Sequence, residues 1–133
     1  MPNDHLKSGK TKNKKETDVE KKGNKKVKKV IAIRNLFITD AHYVVAKTKA
    51  YIKRSAWFAT WWGRRYTSVK ASARGTVYDA STTPHNVKAY GSDTEGKAKA
   101  KDHFSNTMFA RDESVYGWHN CNSFDASYVY LHF

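Results

Sequence analysis

Six consecutive residues, Trp61-Trp62-Gly63-Arg64-Arg65-Tyr66, carry the side chains best suited to holding a ligand. An arginine presents a planar fork that matches phosphate oxygens, and a neighbouring tryptophan can stack on a sugar, a base or the guanidinium itself. The same residues also fit a core tryptophan beside a solvated arginine pair. His103, His119, Cys121 and His132 raise the question of a metal. His119 and Cys121, two apart, would share one face of a strand, but a zinc site wants four ligands in paired spacing, and neither CxxC nor HExxH occurs. Asp112 and Glu113 are adjacent, so on a strand they face opposite ways and make a poor acid/base pair. No glycine loop of the phosphate-cradling kind is present. Lacking a matched acid and base, nucleophile or metal set, the chain reads as a binding protein and not an enzyme, with no cofactor and no metal.

The elements that would position these side chains are short strands. From Val69 to Arg74 small apolar residues alternate with Lys70, Ser72 and Arg74, the period of a strand with one buried and one wet face. Asn86–Tyr90 alternates likewise. Lys97–Lys101 reads KAKAK, with alanines on one face and ammonium groups on the other. Near the end Tyr128, Tyr130 and His132 point one way, and Val129, Leu131 and Phe133 the other. Gly63, Gly75, Thr83-Pro84, Gly91, Gly96 and Gly117 punctuate these runs. Together they predict an all-β fold, a small antiparallel β-sandwich over residues 55–133.

The N-terminal part reads differently. Residues 1–29 hold eleven lysines against Asp4, Glu16, Asp18 and Glu20 and few large apolar side chains, so they are expected to be a disordered Lys-rich tail. Residues 30–54 are expected to be an amphipathic helix, because Val30, Ile33, Phe37, Ala41 and Val44 recur every three or four residues. A second reading makes residues 25–50 a degenerate secretory leader, cationic at Lys25–Lys29, apolar to Ala46 and small to Ala50. Arg34, Asp40 and His42 interrupt that apolar stretch and would oppose membrane insertion.

A net charge of +13 points to an anionic partner: nucleic acid, phospholipid, cell-wall polymer or a pyrophosphate head group. The single cysteine, Cys121, excludes an intramolecular disulfide framework.

The order of features over residues 61–133 resembles the lactococcin 972-type bacteriocins, small secreted antibacterial proteins. The resemblance lies in WWG at 61–63, TVYDAS at 76–81, HNVKA at 85–89, SNTMFAR at 105–111 and the aromatic ending DASYVYLHF. It implies a β-sandwich that acts outside the cell by binding an anionic cell-wall precursor or the envelope of target bacteria, without turnover. It supplies no binding residues. On physical grounds Trp61, Trp62, Arg64, Arg65 and His85 are the candidates. The alternative is a cytoplasmic nucleic-acid-binding protein whose lysine tail serves as an arm.

Overall fold

The computed structural model describes residues 13–36, 41–78, 84–105 and 114–131. Nine strands follow one another: β1 (Lys14–Lys22), β2 (Lys25–Leu36), β3 (Ala41–Ala56), β4 (Ala59–Arg64), β5 (Val69–Tyr78), β6 (Pro84–Asp93), β7 (Lys97–Ser105), β8 (Ser114–Cys121) and β9 (Ser127–Leu131). All pairings are antiparallel, in two sheets. The first has five strands in the order β1-β2-β3-β4, with β7 also on β3; the second has four, β6-β5-β8-β9. The sheets pack face to face, β3 against β5 and β8, and β2 against β8 and β9.

Alternation fills the space between them. Val27, Ile31, Ile33, Val44, Ala46 and Ala50 point inward from the first sheet, and Val69, Ala71, Ala73, Val77, Val115, Val129 and Leu131 from the second. Most are alanine or valine, so the interior is thin and the sheets lie close. A buried polar seam joins them. The Thr48 hydroxyl donates to the Lys70 carbonyl at 2.9 Å, so the His119 ring, 2.8 Å away, must donate to it through Nδ1.

The long strand β3 changes partner halfway. Its first part pairs with β7 as far as Lys49, and its second part with β4 from Tyr51. Between them, Ala50 donates to the Gly96 carbonyl at 2.8 Å and accepts from Arg65 N at 3.0 Å. Gly96 is the residue this junction requires: its φ is +85°, and a Cβ there would lie 1.9 Å from the Arg65 carbonyl oxygen.

The antiparallel sandwich agrees with the sequence, but its N-terminal boundary does not. Residues 30–54 form no helix among the described residues, being the greater part of β2 and β3. Val30, Ile33 and Val44 do recur at helical intervals, yet β-branched residues suit a pleated sheet, and the period-two pattern of the same segment governs. The expected disordered tail is strand from Lys14 onward; residues 1–12 lie outside the described residues, as do Phe37–Asp40. The acids of β1 explain why so lysine-rich a segment orders. Asp18 and Glu20 turn to the inner side and reach the buried Lys29 ammonium at 3.7 and 2.8 Å, where Ser127 Oγ also accepts from it. Residues 25–50, the alternative leader, are β2 and the first ten residues of β3 among the described residues, and they supply the six inner-layer side chains named above from Val27 to Ala50.

Candidate functional site

Register fixes what the outer face of the five-stranded sheet presents. Residues directly opposite one another share a face. Lys28 stands opposite Lys49 and Lys49 opposite Lys97; one step along, Val30, Lys47 and Lys99 form the next row, followed by Ala32, Val45 and Lys101. Lys26, Arg34 and Lys53 belong to the same face, as do Lys15 and Lys21 on β1 and Arg64 on β4. Among the described residues no strand places a carboxylate there. Glu95, in the turn before β7, approaches Arg64 to 3.6 Å.

These cations crowd one another. Partial burial, then the charges of Lys99, Lys49, Arg34 and Lys101, lower the Lys47 pKa from its ordinary value. Burial followed by Lys97 and Lys28 does the same to Lys49, and burial followed by Lys21 and Lys28 to Lys26. Like charges directly opposite in a sheet are destabilising, so the arrangement costs stability unless a partner offsets it. In the middle lies a hollow of about 180 Å³. Val30, Ala32 and Val45 floor it, and Lys28, Arg34, Lys47, Lys49 and Lys99 stand around it. Aromatic rings support the ammonium groups. Lys26 Nζ lies 4.8 Å from the ring centres of both Tyr51 and Trp62, and Lys101 Nζ lies 4.0 Å from that of Tyr43.

The residues expected from the sequence to form one site are dispersed. Trp62 and Arg64 lie on the cationic face, whereas Trp61, opposite Arg54, lies on the reverse of β4. Gly63 makes room for the Arg54 side chain, whose Nε would be 2.5 Å from a Cβ at that position. Arg65 is a clamp: its guanidinium donates to the Asn122 carbonyl and to Ser123 Oγ, both at 2.9 Å, and so ties the β4–β5 link to the β8–β9 turn. His85 faces Asp102 at 3.4 Å. Asp102 pairs with Val44, ten residues along β3 from Arg54, or roughly 33 Å from the tryptophans. His85 is therefore not part of a site with Trp61.

The histidines and the thiol do not converge either. His119 and Cys121 do share a face, but it is the interior. Burial, and after it the Lys29 charge, lowers the His119 pKa to about 4, so its ring is neutral at physiological pH. Burial raises the Cys121 pKa, with Arg65 and Lys29 opposing, which keeps it a thiol. His103 is on the cationic face beside Tyr43. His132 and the Asp112-Glu113 pair lie outside the described residues, and among those that are described no three His, Cys, Asp or Glu gather as a metal site.

The second sheet has an outer face of another kind. Tyr116, Tyr128 and Tyr130 pack ring to ring at 5.5–6.2 Å between centroids. Tyr116 and Tyr128, with Tyr90 and Trp118, border a hollow of about 310 Å³, in which Arg74 Nε donates to Ser72 Oγ at 2.9 Å.

The lysine face was only partly visible in advance. Its β7 portion was evident in KAKAK, while Lys26, Lys28, Lys47 and Lys49 fell in segments assigned to tail and helix. The usable signal was strict alternation from Val45 to Lys53, where Lys47, Lys49, Tyr51 and Lys53 interleave with Ala46, Thr48, Ala50 and Ile52. No family model matches the chain, and no curated protein or solved structure matches it.

Proposed function

We propose that this is a non-catalytic binding protein that uses the outer face of its five-stranded sheet to engage a phosphate-rich polyanion of the bacterial envelope. One observation carries the reading: among the described residues, cations from four strands, β1, β2, β3 and β7, stand side by side on one face with no carboxylate partner, and Arg64 of β4, beside Glu95, extends the row. A compact pyrophosphate would be met by a few converging donors at one point. Here the cations spread in rows about 5 Å apart across strands and about 7 Å apart along them, which suits repeated phosphates or a charged surface. The resemblance to secreted antibacterial sandwiches supports an extracellular target. Envelopes from Gram-positive bacteria provide the test. The full chain should be retained at low salt and released steeply by added salt, and growth of those bacteria should be inhibited. A chain that passes over such envelopes unretained removes the reading.

A nucleic acid is the second reading, favoured by the aromatic hollow around Arg74, where bases could stack while Lys70 and Lys88 meet phosphates. On the lysine face itself the rings of Tyr51 and Trp62 are already covered by Lys26. Competition separates the two: single-stranded DNA that displaces envelope polymer at equal phosphate, and loses affinity on Trp118→Ala, would favour nucleic acid.

A further inference from the structure

The β3–β4 hairpin ends in an arrangement that neither the core nor the turn explains. Trp57 and Phe58 are its two turn residues, between the paired Ala56 and Ala59. Two-residue hairpin turns favour glycine, asparagine or aspartate, because the best-matched turns need positive φ. Neither Trp57 nor Phe58 has positive φ, and neither is buried: Trp57 is 96% and Phe58 69% exposed. All residues from Lys53 to Trp61 are exposed, so the hairpin projects beyond the sandwich. Its rings associate with one another: Trp57 meets Phe58 edge-on at 5.4 Å, and Phe58 stacks on Trp61 at 6.5 Å. Below this apolar tip sits a cationic collar of Lys53, Arg54 and Arg64, and the sequence has no carboxylate from Ala41 to Tyr78.

We propose that this tip inserts into the interfacial region of an anionic lipid bilayer, with Trp57 and Phe58 entering the boundary between headgroups and acyl chains. The inference rests on the polyanion-binding reading above and names the surface that the protein meets. Tryptophan and phenylalanine gain free energy at that depth, and a collar of Lys and Arg then lies level with lipid phosphates. Charge complementarity selects the occupant, because the collar keeps a net positive charge even with Glu95 beside Arg64 and is drawn to an anionic surface, at about 1 kcal/mol per cation. A soluble polyanion offers the rings no apolar phase.

The test uses the full chain and its Trp57→Ser/Phe58→Ser variant, both probed with sodium polyphosphate and with vesicles of phosphatidylcholine with and without phosphatidylglycerol. Since both side chains are exposed, the variant should keep the wild-type thermal melt, and Trp57→Phe should retain vesicle binding. Wild-type protein should partition onto the anionic vesicles with blue-shifted tryptophan emission that brominated acyl chains quench. The double variant should lose roughly ten- to hundredfold in partitioning while keeping its polyphosphate affinity. Equal partitioning of variant and wild type, unquenched emission, or binding to polyphosphate but not to vesicles would overturn the insertion and leave the lysine face intact. Failure to bind either probe would overturn the polyanion reading and the insertion together.

Discussion

The two outer faces of this sandwich are built from the same inner pattern and end in opposite chemistry. Both sheets spend every second residue on a layer of alanine and valine, and each leaves its remaining residues to solvent. On the five-stranded sheet those residues are ammonium groups set directly opposite one another, as in the row Lys28, Lys49, Lys97. On the four-stranded sheet they are rings in contact, and Arg74 is anchored to a Ser72 hydroxyl that itself donates to the Ala89 carbonyl. The aromatic face stabilises itself. The lysine face works against its own fold, and a sequence that keeps such a conflict points to something outside the chain that resolves it.

The largest effect expected follows from erasing that difference. Replacing Lys28, Lys47, Lys49, Lys97, Lys99 and Lys101 with glutamine should weaken binding to anionic vesicles on the order of 10³–10⁴-fold. The melting temperature should hold or rise, because repulsion is relieved. Lys70→Gln with Lys88→Gln on the other sheet should change binding by less than about tenfold, because that face does not meet the membrane, whereas two cations at the same per-cation worth would cost about thirtyfold if it did. Equal losses from the two sets would abolish the distinction between the faces.

Acid probes the seam that joins the sheets. Folded His119 has its pKa lowered to about 4, against roughly 6.5 in the unfolded chain, so between those values the unfolded state binds the extra proton. Stability should therefore be flat above about pH 6.5, fall by about 3 kcal/mol as pH drops towards 4, and level off below. Urea unfolding across that range should show the slope, and His119→Gln should flatten it.

A smaller effect tests the aromatic face. Tyr128→Ala should cost about 1 kcal/mol of stability through its lost ring contacts with Tyr116 and Tyr130 and leave vesicle binding unchanged. A binding loss without a stability loss would move the site to that sheet. The smallest concerns the lysine that faces inward. Lys29 is 2% exposed, but its partners Asp18 and Glu20 are about half exposed, so removing it strands no buried charge. Lys29→Met should shift stability by less than about 1 kcal/mol, measured by the same unfolding, and leave binding untouched.

Legibility followed the same divide. Strands β5, β6, β7 and β9 could be read because their alternation is strict: Ala98 and Ala100 are buried between exposed Lys97, Lys99 and Lys101, and buried Val129 and Leu131 alternate with exposed Tyr128 and Tyr130. The first three strands misled for two reasons. Lysine density in residues 14–29 resembles a solvated tail, although Gly23-Asn24 between two alternating runs is a hairpin signal, and Gly23 does take φ 62° there. Beyond it, accidental three- and four-residue spacings imitated a helix. The candidate site was legible as types and not as a place. Trp62 and Arg64 do reach the cationic face, but Arg65 holds two links together and His85 belongs to β6 of the other sheet, because neighbours in sequence alternate faces and only the register unites distant lysines.

The most direct measurement is the affinity of the full chain for polyphosphate across a series of salt concentrations, for wild type and for the six-lysine variant. The account predicts a log–log slope equivalent to several released counterions for wild type and a much shallower one for the variant. A wild-type slope near zero, or one that the six substitutions leave unchanged, would contradict it.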